Sequence, residues 1–339
     1  MQTATHTGLA LVAFAANSVL CRRALGEAAI DPASFSVIRL ASGAVALMLI
    51  LGIRERGRVR PSGNWVSTAS LFLYAAAFSF AYLDLSVGTG ALILFGAVQA
   101  SMAFAALWEG DRPESREWAG MLLALGGLGY LVSPGLAAPT LSGSLLMVIA
   151  GGAWGVYSLR GRGIADPLGD TAGNFVRTLP LAAGLGLVTL QNSRVSAEGV
   201  LLAVVSGALT SGVGYVLWYA ALRGLSATRA AVVQLTVPVL AAGGGVAFLS
   251  EGFSTRLVLA AVLILGGVGI ALRGRVRRRG GDNPQWRASY MFARSARWDF
   301  ATIDVGAGDG AFPPCVANAS FRLNRFLDPA VGARRTPAE

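Results

Sequence analysis

The residues best equipped for chemistry in this chain are aromatic and amide side chains at helical spacing. Tyr74, Phe78 and Tyr82 recur every four residues, which sets three rings on one face of a helix. Trp154 and Tyr157 are three apart with Ser158 on the next turn, and Ser211, Tyr215, Trp218 and Tyr219 share a broad face. Such rings can line a cavity for a partly apolar solute, with the hydroxyls and the indole N–H as polar handles. Each ring taken singly serves as well for packing between helices or for an interfacial belt, and Tyr82 and Tyr219 are the best placed for a belt. Asn17, Gln99 and Gln234 lie well inside apolar stretches, where an unpaired amide is costly. Gln99 reads as interhelical glue, whereas Asn17 and Gln234 read as substrate contacts. Pro238 removes the N–H that would pair with the Gln234 carbonyl and leaves an acceptor beside any cavity. The expected substrate-binding set is Asn17, Phe78, Tyr82, Trp154, Tyr157, Tyr215, Trp218 and Gln234. Arg39 and Arg177 are expected to anchor structure at matching places rather than to touch substrate.

Other chemistries are poorly provided for. The only histidine is His6, no His/Cys/Glu cluster has metal-ligand spacing, and no serine has a histidine partner. Neither catalytic nor metal-ligating residues are expected, nor a cofactor, and the chain reads as something other than an enzyme. A membrane-embedded lipid-modifying enzyme would need carboxylates or histidines gathered at one interface. The only acidic segment of that kind, EGDRPESRE at 109–117, is interspersed with arginine and reads as a solvated loop. All basic residues are arginine, so a retinal-type Schiff base to lysine is excluded. Cys21 and Cys315 form no disulfide framework. Asp84, near the end of its apolar stretch, is a candidate proton carrier or a plain solvated carboxylate.

The elements that must position these residues follow from composition. Charged residues make up 14% of the 339 and apolar ones 54%, about half the charged share of a soluble domain. The apolar residues come in blocks of a length that crosses a bilayer as a helix. Ten spans are expected, near 6–22, 34–53, 65–85, 89–108, 116–133, 143–159, 171–190, 199–221, 229–249 and 256–273. The formal charge of +10 points to topology rather than nucleic acid, because arginine concentrates at block ends and after residue 273. Loops holding Arg54, Arg56, Arg58, Arg60, Arg112, Arg116, Arg160, Arg162, Arg223 and Arg229 alternate with loops holding only Arg22, Arg23, Arg194 and Arg256. The arginine-rich side is expected to be cytoplasmic, with both termini on it. Residues 274–339 read as a basic cytoplasmic tail, expected to be disordered.

The spans fall into two sets. AGMLLALGGLGYL at 119–131 lies over LAAVLILGGVGIA at 259–271 with five identities and no gap. Glu109-Gly110 and Glu251-Gly252 each close the preceding span, and Asp31-Pro32 precedes Arg39 as Asp166-Pro167 precedes Arg177. Residues 1–137 therefore form a first five-helix repeat and 138–273 a second. An odd number of spans per repeat makes the second inverted, a pattern common in secondary transporters. The fold expected is an all-α polytopic membrane protein of ten transmembrane helices in two inverted repeats. The glycine triplets at 126–129 and 266–269 lie inside spans, where glycine lets helices approach closely. They read as packing notches, not as a nucleotide loop.

On these residues the chain resembles the drug/metabolite transporter superfamily, in its ten-span EamA-type branch. The resemblance covers 6–273 and rests on the duplication, Asp31-Pro32 with Arg39, Trp154-Gly155, and ATRAAVVQLTVPVLAAGGGVAFLSEG at 227–252, in which Pro238 precedes Glu251. Within that branch it is similar to bacterial aromatic amino acid exporters. The resemblance implies export across the bacterial inner membrane by alternating access, through a cavity formed by spans one, three, four, six, eight and nine. It implies neutral, including aromatic, amino acids as substrates, with drugs or other small metabolites as the alternative. The partners expected are the small-molecule substrate and the lipid bilayer, with neither nucleic acid nor an obligatory protein. Two departures fall at positions implied to face the cavity. Asn17-Ser18 stands where many relatives carry Trp-Gly, and Gly96, a structural or gating position like Pro238, stands where a first-half proline would be.

Overall fold

A computed structural model describes residues 2–56, 61–108, 115–133, 138–161, 164–222, 225 and 233–278, the side chains from 272 onward excepted. The tail after 278 lies outside these residues, as do Glu109-Gly110, Arg58, Arg60, Arg112, Arg162, Arg223 and Arg229. The described part is almost wholly helical. Its ten principal helices are α1 Gln2–Gly26, α2 Pro32–Arg54, α3 Trp65–Ala81, α4 Val87–Trp108 and α5 Ser115–Val132. There follow α6 Leu141–Arg160, α7 Pro167–Thr189, α8 Ala197–Leu222, α9 Thr236–Leu249 and α10 Thr255–Arg278. Six of them, α1, α2, α4, α6, α7 and α8, are long and apolar enough to cross a membrane by length and composition. The apolar parts of α3, α9 and α10 are shorter. The chain is a polytopic membrane protein. Apolar side chains exposed on its surface, among them Ile53, Leu187, Val188 and Phe248, present a face suited to lipid.

Helix starts are set by local signals. Pro32 and Pro167 open α2 and α7, where a missing N–H costs nothing. Asp31 caps α2 by accepting from the Ser34 N–H at 2.9 Å. Burial alone would raise the Asp31 carboxyl, but hydrogen bonds from Ser34 and from the Arg194 and Ala33 backbone hold it below the usual range. Asp166 makes no such cap. It pairs instead with Arg54 on α2, at 2.9 Å. Asn64 and Ser196 cap α3 and α8.

The connections gather at two ends. At one, the Asp31 N–H donates to the Arg194 carbonyl, and Arg22 donates to the Tyr82 and Leu83 carbonyls and pairs with Glu251 at 3.6 Å. Arg256 there donates to the Tyr130 and Ser133 carbonyls, and the Thr140 hydroxyl approaches Asp84 at 3.4 Å. At the other end the Ser62 N–H donates to the Gly169 carbonyl, and Arg160 donates to Asn64. Trp65, Trp108 and Trp118, at the start of α3, the end of α4 and the start of α5, are exposed where an interfacial belt requires. Tyr82 and Tyr219, the rings best placed for that belt, are instead buried between helices, at 0% and 5% exposure.

The glycine triplets lie on two helices that pack together. α5 packs on α10, and a Cβ on Gly127 would lie 2.7 Å from that of Leu263. One on Gly267 would lie 2.6 Å from the Ala124 nitrogen and the Gly120 carbonyl oxygen. Only the middle glycine of each triplet does this, since Gly126, Gly129, Gly266 and Gly269 have nothing within 4 Å of such an atom. The segment 109–117 is not the solvated loop its charges imply, as far as it is described. Ser115 begins α5 and Glu117 is buried in its first turn.

Candidate functional site

Three sequence stripes converge. Trp154 of α6 lies 5.0 Å from Tyr74 of α3, 4.7 Å from Tyr215 of α8 and 5.6 Å from Tyr157, measured between ring centroids. Phe78 extends the chain of rings from Tyr74 at 5.4 Å to Tyr82 at 4.8 Å. Tyr219 joins through Tyr157 at 6.1 Å. Helical spacing placed the rings within each helix, and helix packing joined the three faces. Phe14 of α1, which the sequence reading missed, holds the centre at 5.7 Å from both Trp154 and Trp218 and 5.9 Å from Tyr215. Phe175 of α7, also missed, touches Tyr215 at 5.9 Å. Phe14 had a signal, since it lies three and four residues before Asn17 and Ser18 on one helix face. Inside the rings is a void of about 10 Å³ walled by Phe14, Ser18, Tyr74, Phe78, Leu94, Phe95 and Trp154. That is room for about one water.

Arg39 of α2 enters this cluster. It is buried at 1% exposure, with Nε donating to Ser211 Oγ at 3.0 Å. Nη2 donates to the Tyr74 and Tyr215 hydroxyls at 3.3 and 3.2 Å. The guanidinium carbon stands 5.2 and 5.1 Å from the Tyr74 and Phe78 ring centroids, a cation–π arrangement. Ser211 belongs to a π-helical turn, Ser206–Val213, in the middle of α8, a feature frequent at functional sites. Gly207 brings that turn against α2, because a Cβ there would strike the Arg39 carbonyl oxygen and the Ser42 hydroxyl.

Arg177 does not share this setting. It donates to the Ser62 carbonyl at one end of the bundle, beside Gly63, whose φ of +102° only glycine adopts readily. The matching roles expected for Arg39 and Arg177 are therefore not seen. One is central and the other ties a connection to α7.

The amides divide. Asn17 Oδ1 accepts from the Ser206 hydroxyl at 2.7 Å and the Thr210 hydroxyl at 3.1 Å, joining α1 to the π-helical turn. Gln234 is buried at 1% exposure with no partner on Nε2 among the described residues. Pro238 occupies the third position of α9, which is separated from the helical residues Val233 and Gln234 by a single break at Leu235; proline, lacking an N–H, breaks the helical ladder in this way. Gly96 does not face the void. A Cβ there would point at Ile264, 3.7 Å away, and at Leu128, while the adjacent Leu94 and Phe95 line the centre. Ser18 does line it. No group of three or more His, Cys, Asp and Glu able to hold a metal occurs among the described residues.

Comparison with known proteins places these features in a family. The model of the EamA-like transporter family matches twice, over residues 7–133 and 141–273. An uncharacterized protein of Pseudomonas aeruginosa is 50% identical over 277 residues, covering 82% of this chain and 96% of that protein. An uncharacterized transporter of Archaeoglobus fulgidus is 28% identical over 267 residues, covering 71% of this chain and 88% of its own. A protein crystal structure at 20% identity superposes with a TM-score of 0.54, over 78% of this chain and 97% of that one, and shows a shared fold. With two family-length matches along a helical chain whose rings meet at one centre, the chain belongs to the EamA-like transporter family.

Proposed function

We propose that the protein exports neutral, including aromatic, amino acids across the bacterial inner membrane by alternating access. The observation that carries this reading is the convergence of rings from α1, α3, α4 and α6 on one central void, with Tyr215 and Trp218 of α8 packed against them. A cavity that opens between these rings takes an apolar or aromatic side chain, with hydroxyls at its edge for polar ends. Trp154, Tyr157, Tyr215, Trp218, Phe78 and Tyr82 supply its walls. Gln234, unpartnered on Nε2, is the amide left to meet a polar group of the substrate. Asn17, with its oxygen given to α8, supports the wall and does not read the solute. In this reading the ten helices act as two inverted five-helix repeats with both termini cytoplasmic, as the arginine distribution favours.

The test is counterflow of labelled amino acids by the purified protein in proteoliposomes. Trp154→Ala and Tyr215→Ala are each expected to cut flux about tenfold or more, a loss of about 1.4 kcal/mol of binding or more, with folded protein unchanged by size exclusion. Flux of no amino acid overturns the substrate assignment, and flux of other small metabolites in its place would make those the cargo. Unchanged flux in both variants overturns the site.

A further inference from the structure

The charge on Arg39 has no counter-charge among the described residues. Arginine keeps its proton at any accessible pH and offers five donors. Three of them go to the neutral hydroxyls of Ser211, Tyr74 and Tyr215. The two on Nη1 are buried and have no hydrogen-bond partner among the described residues. No ion pair to Arg39 occurs among the described residues. A buried charge is ordinarily paired, because leaving it without an anion forfeits most of what offsets its dehydration. Neutral hydroxyls orient a cation without neutralising it.

The surroundings show that the cation is held in place, not stranded. The π-helical turn of α8 approaches α2 at Gly207 and delivers Ser211 to Nε. Tyr74 and Phe78 lie under the guanidinium and also wall the central void. The side chain is thus fixed on two of its nitrogens and one face, and the third nitrogen is left unspent.

We propose that Arg39 is the receptor for a substrate carboxylate, with Nη1 as the donor. This rests on the amino acid reading above and deepens it. When the void widens to admit the substrate, its carboxylate meets Nη1 while its side chain lies among Trp154, Phe14 and Tyr215. A guanidinium edge matches the planar carboxylate, and a single cation among rings fits a monoanion better than a phosphate dianion. Arg39 then selects solutes with an acid end, and the rings select the other end.

The experiment is calorimetric titration of the purified full-length protein in detergent at neutral pH with four probes. Phenylalanine and 3-phenylpropionate carry the carboxylate; phenylalaninamide and phenethylamine lack it. On the wild type, the two acids are expected to bind about ten- to a hundredfold more tightly than the two amines, the range for a hydrogen bond to a charged group. Arg39→Gln should erase that preference, and Arg39→Lys should restore part of it. A purely structural arginine would lower stability in Arg39→Gln and leave the acid-to-amide ratio unchanged, which overturns the proposal. If Arg39→Gln does not fold, the wild type alone decides, because equal binding of phenylalanine and its amide overturns it. Failure of the two readings is separable. Arg39-dependent acid binding without amino acid counterflow leaves the carboxylate site standing and removes the export assignment. Counterflow of amino acids with no acid preference does the reverse.

Discussion

Asn17 shows how one side chain can carry a helix interface. Its oxygen accepts two hydroxyls from the π-helical turn of α8, at 2.7 and 3.1 Å. In lipid such contacts stabilise modestly, because an unfolded chain in the membrane finds other partners. Asn17→Ala is therefore expected to lower unfolding stability by about 1 kcal/mol, read as a small drop in Tm in detergent. Affinity for amino acids should stay nearly unchanged in calorimetry. A large loss of affinity with unchanged Tm would return Asn17 to the substrate-contacting role that its position in the sequence implies. The same logic separates Arg39 from Arg177. Both are arginines near the start of a span, but only the burial and partners of each reveal that one faces the rings and the other a connecting segment.

Between elements, α5 and α10 give the cleanest case. The equivalent glycines Gly127 and Gly267 sit in contact with the facing helix, and their neighbours Gly126 and Gly266 do not. Gly267→Ala pushes a methyl group against the backbone of α5, and overpacking of this kind costs about 1–3 kcal/mol. Gly266→Ala meets nothing and gains helix propensity. The pair of variants should thus move Tm in opposite directions, or at least leave Gly266→Ala unchanged while Gly267→Ala falls. Equal losses in both would remove the notch from the account of this interface.

For the whole molecule, the proposed transport turns on access. The void of about 10 Å³ at the rings holds no amino acid, so the proposed alternating access requires these rings to part toward one side at a time. The ties that must part are visible. Arg54 pairs with Asp166 at one end, and Arg22 with Glu251 and Arg23 with Glu198 at the other. The Arg54–Asp166 pair is roughly half exposed, so Arg54→Ala should change folding stability by less than about 1 kcal/mol. Its effect belongs to access. With Cys21 and Cys315 replaced by alanine, a cysteine placed at Ser18 should react faster with a water-soluble thiol reagent from the Arg54 side once Arg54 is removed. Equal reaction rates would show that this pair does not hold the end shut.

The sequence by itself determined the helical class, the lengths of most spans, the internal duplication and the facial alignment of each aromatic stripe. All of these depend on neighbours within one turn or one span, where periodicity and apolar length act directly. Tertiary structure alone decided how each helix is rotated against the others. That rotation turned Gly96 toward α5 and α10, drew Tyr82 and Tyr219 inward, and brought Phe14 to the centre. It also carried Arg39 into the rings without an acidic partner among the described residues. In a span that is apolar all round, no polar face marks which side points inward. The contacts with other helices make that choice.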